Sequence, residues 1–371
     1  MLRLEPRRAP SEAMIYATPF VAVALTLAAG CVLFALLGRD PIQAMYLIFI
    51  KPLTTLSGRA ELAVKATPLI LIATGLAVGF RAGVWNIGAE GQFTVGALTG
   101  GSVALAVYPA GGPWLLPLMA LAGVIGGMAW AAIPAFLRTR FNANEILVSL
   151  MLSYVAVLLL GVLVHGLLRD PQGFNFPESR LFQSSALLPV LIPGTRAHIG
   201  AIFALVAVAL TQLFMARHIS GYQIKVLGLA PKAARFAGFC ERRIIWGCFL
   251  LSGGLAGLAG LCEAAGPVGQ LVPALPVGYG FTAIIVAFLG RLHPLGILAG
   301  GLLIGLTYIG GEAAQIALRL PAAAIAIFQG MLLFFLLASD ILVRFRPVWR
   351  PRPRPTASSG PEPMPATTLA P

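Results

Sequence analysis

Long apolar runs separated by short polar clusters fill nearly the whole chain. Ten of them approach the roughly 20 apolar residues that cross a bilayer. They lie at about 14–37, 62–80, 91–108, 114–137, 145–168, 199–216, 244–262, 279–292, 294–311 and 321–343. The pattern predicts an all-α, polytopic membrane bundle of about ten transmembrane helices. The eighth run is short and is expected to be broken or re-entrant. Between the second and third runs stands "RAGVWNIGAEGQF" (81–93), with glycines at 83, 88 and 91. This stretch is too polar for a plain membrane helix. Helix breaks at membrane depth are tolerated only when buried in protein or lining water. Asn86, Gly88, Glu90, Gly91 and Gln92 are therefore read as helix-break residues that support the pathway. Asn86, Glu90 and Gln92 are expected to satisfy freed backbone groups, with direct solute contact the secondary reading.

Composition agrees with a membrane protein. The 371 residues are 58% hydrophobic and 11% charged, with a mean hydropathy of +0.89, against about 25% charged in soluble domains. The net charge of +13 is topological rather than a sign of nucleic acid. With the N-terminus inside, 18 of the 26 Lys and Arg residues fall on cytoplasmic segments and 8 on outer ones. That asymmetry places both termini in the cytoplasm. The chain then divides into a cytoplasmic N-terminal segment (1–13), a transmembrane domain (14–343) and a disordered Pro/Arg-rich cytoplasmic tail (344–371). Within the domain, 169–198 is a long outer loop and 217–243 a long cytoplasmic one. The tail arginines are placed to rest on anionic lipid.

Little in the chain suggests chemistry of its own. Cysteines at 31, 240, 248 and 262 and histidines at 165, 198, 218 and 293 are dispersed, so neither a metal site nor a disulfide is implied. No GxxxxGK[ST] phosphate loop is present. "LSGG" (251–254) lies inside an apolar run, and "GYGFTA" (278–283) follows no buried strand; both are read as chance. No catalytic residue is assigned. Recurrent GxxxG spacings, such as Gly96/Gly100, Gly123/Gly127 and Gly253/Gly257, suggest close helix packing.

Acidic residues near apolar runs are the exceptions, because a membrane-depth charge usually faces a cavity or a partner. Glu145 follows Asn144 and reads equally as the N-terminal acid of a capped helix; both join the break residues as pathway support. Glu263 and Gly280 are candidate pathway residues. In the inner loop, "GLAPKAARFAGF" reads as a short wet helix. Pro231 suits its first turn and Gly238 its left-handed cap. Lys232 and Arg235 keep it solvated, while its alanines offer a small docking surface for a cytoplasmic partner.

Four stretches in order then resemble one family. They are "FRAGVWNIGAEGQFTVGAL" (80–98), "FNANEILVSLMLSYVAVLL" (141–159), "LGLAPKAARFAGF" (227–239) and "GYGFTAIIVAFLGRLHPLGILAGGLLIG" (278–305). Together they resemble permease subunits of bacterial ABC importers, in the branched-chain amino acid, simple sugar and nucleoside superfamily. The resemblance is nearest the nucleoside and simple-sugar branch. It implies a coupling loop for an ATPase at Gly228, Ala230, Pro231, Lys232, Ala234, Arg235 and Gly238; Ala230 departs from the polar residue common there. It also implies partners. These are an ABC ATPase subunit or fused pair of ATPase domains carrying ATP and magnesium, and an extracytoplasmic substrate-binding protein. A second homologous permease would complete the pathway, as a heterodimer before a homodimer. The chain itself would bind no cofactor and sit as a multi-pass protein in the bacterial inner membrane. The expected cargo is a nucleoside or related simple sugar. The alternatives are a sugar-specific permease and a gradient-driven secondary transporter, which Glu90 and Glu263 keep open. An intramembrane enzyme would need a catalytic pair within the spans, and the aspartates (40, 170, 340) fall at or beyond helix ends.

Overall fold

The computed structural model describes residues 2–6, 12–174 and 176–349. A strand β1 (Leu2–Pro6) leads into α1 (Glu12–Leu36). Next come α2 (Pro41–Met45), a π-helical turn (Tyr46–Ile50) and α3 (Lys51–Thr54). The long helices α4 (Leu56–Arg81), α5 (Ala89–Val107), α6 (Leu115–Phe141), α7 (Glu145–His165) and α8 (Gly200–Arg217) follow. Two short helices, α9 (Ile219–Leu229) and α10 (Pro231–Phe236), precede α11 (Glu241–Glu263), α12 (Tyr279–Leu289), α13 (Pro294–Leu318), α14 (Ala322–Arg344) and β2 (Phe345–Trp349).

Each of the ten expected runs is helical. Seven helices are long and apolar enough to cross a membrane among the described residues. The other three are α5, whose opening Glu90 and Gln92 dilute its apolar character, the short α12, and α14.

Contacts between loops fall within the two sets that the alternating pattern groups together. On the face expected to be cytoplasmic, a side chain at Gly228 would overlap the Arg81 carbonyl, and Arg291 bonds Thr18 near the start of α1. On the outer side, Arg196 grips Glu61 through two bonds of 2.7 and 2.8 Å. The Gln183 amide reaches the Ala110 carbonyl at 3.1 Å.

The centre of the bundle is built from backbone against backbone. Gly96 of α5 meets Gly257 of α11, and Gly123 and Gly127 of α6 close on Gly257 and Gly253. A methyl group at Gly96, Gly127 or Gly257 would overlap the facing main chain. Lipid tails are as apolar as the helix surface, so association relies on such close packing. The expected GxxxG seams thus become one three-helix junction.

Two features depart from the expected pattern. Residues 38–61, read as an outer loop, contain the α2–α3 segment, which packs inward. Ile48 is fully buried and sits in one cluster with Phe34, Ala314, Leu318 and Phe328. Its apolar run is too short to span, so it packs against α13 instead. At the ends, β1 pairs antiparallel with β2, from Leu2 opposite Trp349 to Pro6 opposite Phe345. The first residues of the expected disordered tail are therefore a strand, and 350–371 lie outside the described residues. The pairing also holds both ends of the bundle on one side.

The outer segment folds over the stretch that follows α11. Leu188 N–H donates to Ala265 O, Phe182 N–H to Gly269 O and Ser179 N–H to Leu271 O, at 2.8–3.0 Å. His198 anchors its end: Gly200 N–H donates to Nδ1 at 3.1 Å, and the ring packs on Gly266. Burial lowers the imidazole pKa to about 4, so the folded protein keeps it neutral. The stability this contributes is present above the ordinary value near 6.5 and is lost as pH falls towards 4, by about 3 kcal/mol at most. His198→Asn, which keeps a local acceptor, is expected to flatten the acid-side fall in melting temperature between about pH 6.5 and 4. Identical pH profiles for the two proteins would contradict this.

Candidate functional site: two helix starts at membrane depth

The polar stretch 81–93 begins where α4 ends. Gly83, at φ +72°, turns the chain, and residues 82–88 lead back into the bundle before α5 starts at Ala89. This start is not at the membrane surface. Gly91 packs against Ser153, eight residues into α7, or about 12 Å at 1.5 Å per residue. From there α5 runs outward. The half-helix α12 begins at the same level and runs the other way, to its inner end at Gly290. Its 11 residues span about 16 Å, near half of a 30 Å hydrocarbon core.

Two helix N-termini therefore meet near the middle of the membrane. Each leaves unpaired N–H groups and a partial positive charge of about half a unit. Glu90 answers this. Its Oε1 accepts from Gly278 N–H at 2.8 Å and its Oε2 from Gly280 N–H at 2.5 Å. Both oxygens accept, the pattern of an ionised carboxylate. The side chain belongs to the first turn of α5 and caps α12, so one charge faces both helix starts. Gly278 stands at φ +87°, a left-handed conformation that favours glycine. Gly280 is glycine for another reason, since a Cβ there would overlap the Glu90 backbone.

The α5 start is satisfied by other residues. Asn86 Oδ1 accepts from Gly88 N–H at 3.1 Å and from Gln92 Nε2 at 3.0 Å. Asn86 Nδ2 donates in return to Gln92 Oε1 at 2.8 Å and to Ser252 Oγ at 3.0 Å. Ser149 Oγ takes Ile87 N–H at 3.1 Å, and Ser153 Oγ takes Gly91 N–H at 3.3 Å. Asn86, Glu90 and Gln92 are 1–3% exposed, which places them inside protein rather than along an open channel. The structure thus brings Asn86, Gly88, Glu90, Gly91, Gln92 and Gly280 together. It adds Ser149, Ser153, Ser252 and Gly278, which sequence reasoning missed. Two serines four residues apart in an otherwise apolar α7 were the available signal.

Other candidates stand apart from this junction. Asn144 Oδ1 accepts from Ile146 and Leu147 N–H at 3.0 and 3.4 Å, and Glu145 pairs with Arg138. They hold the cytoplasmic α6–α7 turn rather than the break. Glu263 is buried and approaches α12 from the outer side, where its Oε1 lies 3.5 Å from the Tyr279 hydroxyl. Thr282 and Tyr308 hydroxyls meet at 2.9 Å beside it.

The inner loop needs one correction. Pro231 opens α10 and Gly238 takes φ +77°. Lys232 and Arg235 are exposed, with Arg235 paired to Glu241 at 2.8 Å. Ala234, however, is fully buried. It sits in a cluster with Val78, Ala82, Met215, Ile224 and Phe249, because its face of α10 is the one pressed on the bundle. The outward surface consists instead of Leu229 and Phe236, 88% and 93% exposed, beside Ala230 and Lys232.

Opposed half-helices around a buried carboxylate, with exposed apolar residues beside α10, are an arrangement compatible with a membrane transport subunit. Sequence comparison agrees: residues 58–337 match the family described as the permease component of the branched-chain amino acid transport system. The chain belongs to that family and is a transport subunit, not an enzyme. The glucose ABC transporter permease protein TsgB13 of Haloferax volcanii is 38% identical, over 93% of each chain. The guanosine ABC transporter permease protein NupP of Bacillus subtilis is 29% identical, over 88% of this chain and 94% of its own. The nucleoside ABC transporter permease protein NupB of Lactococcus lactis is 25% identical, over 87% and 91%.

Removing the Glu90 carboxylate strands two buried N–H donors, at about 1–3 kcal/mol each. Glu90→Ala and the isosteric Glu90→Gln are both expected to lower the melting temperature in detergent, Ala the more. An unchanged melting temperature for Glu90→Gln would contradict the cap.

Proposed function

We propose that the chain forms one half of the translocation pathway of an ATP-driven, binding-protein-dependent importer. Its cargo in this reading is a nucleoside, purine or pyrimidine. The carrying observation is the exposed turn beside the cap. Val277 and Phe281 are 51% and 37% exposed, although the backbone between them is broken at membrane depth. Such backbone does not face lipid, so this turn fits a water-lined pathway shared with a second subunit. The acids near it are already engaged: Glu90 with two backbone donors and Glu263 beside a tyrosine hydroxyl. That environment suits a neutral solute. Phe281, and Trp85 at 39% exposure, offer flat surfaces on which a nucleobase or sugar ring could stack. A simple sugar is the second reading, favoured by the glucose relative at 38% identity.

The partners in this reading are those an ABC permease implies. An ABC ATPase subunit, or a fused pair of ATPase domains, holds ATP and magnesium and grips α10 through Leu229, Lys232 and Phe236. The second permease is a homologue rather than a copy. Supporting this, Haloferax volcanii has both TsgB13 and a second relative, the "Putative glucose ABC transporter permease protein TsgC13". A binding protein delivers cargo to the outer segment, and the assembly sits in the bacterial inner membrane.

In proteoliposomes holding the assembled transporter and its binding protein, ATP is expected to drive uptake of labelled nucleoside. Phe236→Asp, which removes an exposed anchor without touching the core, should cut that uptake about tenfold or more. Uptake of glucose alone would move the cargo to the sugar reading. Full uptake by Phe236→Asp would overturn the docking assignment.

A further inference from the structure

A cavity lies away from the helix break. It measures about 630 Å³ and lies between α4, α8, α9 and α11. Val78, Leu210, Ile244, Gly247 and Leu251 line its body, and Ser220, Gln223 and Arg243 line one end. The polar end is the cytoplasmic one, since Arg243 is the third residue of α11 and Ser220 the second of α9. Leu251 lies eight residues beyond Arg243, or about 12 Å deeper. The groove therefore reaches down about one leaflet of the hydrocarbon core.

Its outer wall is open. Leu210 on α8 is 61% exposed, and nothing stands within 4 Å of where a Gly247 side chain would begin. Arg243 is exposed and makes no salt bridge among the described residues. The nearby Glu241 is committed to Arg235. Arg217 and Arg242 add positive charge at the same membrane face. An unpaired guanidinium with a hydroxyl and an amide beside it is suited to a phosphate. The apolar slot below it has the depth of an acyl chain.

We propose that this groove binds one anionic phospholipid of the inner leaflet, its phosphate on Arg243 with Ser220 and Gln223, and an acyl chain along Leu210, Gly247 and Leu251. The lipid would wedge α8 against α11 and touch α9, the helix leading into α10. Its headgroup would then be part of the surface beside the ATPase contact.

Native mass spectrometry of the assembled transporter tests this. The complex is released from nanodiscs containing equal parts phosphatidylglycerol and phosphatidylcholine. The wild type is expected to retain phosphatidylglycerol in preference to phosphatidylcholine. Arg243→Ala should lower that retention about fivefold, and Arg243→Lys should restore most of it. Gly247→Trp, which fills the slot and spares the arginine, should also release the lipid. Equal retention by the wild type, Arg243→Ala and Gly247→Trp would overturn the proposal. So would absence of bound lipid from the assembled wild-type transporter, which would leave the groove to the second permease. The readout needs no transport, so it stands or falls separately from the cargo.

Discussion

Two helix starts face each other in the middle of the membrane, and a single carboxylate serves both. Lipid cannot satisfy the unpaired N–H groups there. Two partial positive charges at close range would repel without a counter-charge. Glu90 lies between them, bonded to Gly278 and Gly280. The neighbouring features follow from that requirement. Gly280 has no side chain because α12 must come close enough for the carboxylate to reach. The Asn86–Gln92 amide pair and the serines of α7 and α11 complete the accounting on the α5 side. The outer segment then covers the extended chain between α11 and α12, pairing with backbone groups at Ala265, Gly269 and Leu271.

The same junction is joined to the cytoplasmic face without slack. Gly228 of α9 lies directly on the Arg81 carbonyl, where a methyl group has no room. Arg81 opens the stretch that becomes the α5 start. Ala234 of α10 shares a packed cluster with Val78, Ala82 and Val84. A shift of α9 and α10 therefore meets the end of α4 and the polar stretch before any other part of the pathway. Packed interfaces of this kind favour discrete rearrangements over gradual deformation, which is what an ATP-driven cycle requires of its membrane subunit.

Much of this was legible in the sequence, and the rest was hidden for physical reasons. Span positions, alternation and the Gly-rich break at 81–93 are local or compositional, and they appear directly in the chain. So do the turn residues Pro231 and Gly238, whose backbone roles depend on neighbours a few residues away. The target of Glu90 lies 188 and 190 residues along the chain, and no local pattern announces it. Ala234 looked like a docking residue because its helix is wet; which face is buried depends on tertiary packing. The 41–54 segment was hidden because its apolar run is shorter than a span, and only burial against α13 makes it structural. Ser149 and Ser153 were overlooked because serine in a membrane helix often bonds its own preceding turn, as Ser153 also does with Ser149 O at 3.3 Å.

Hydrogen exchange at the α12 start tests the central claim most directly. In the wild-type protein, the amides of Gly278 and Gly280 should be protected by the Glu90 carboxylate. In Glu90→Ala, peptides covering 276–284 should exchange markedly faster, while those covering 300–310 of α13 keep their wild-type rate. Unchanged protection across 276–284 would show that the carboxylate does not hold the two helix starts together and would contradict the account.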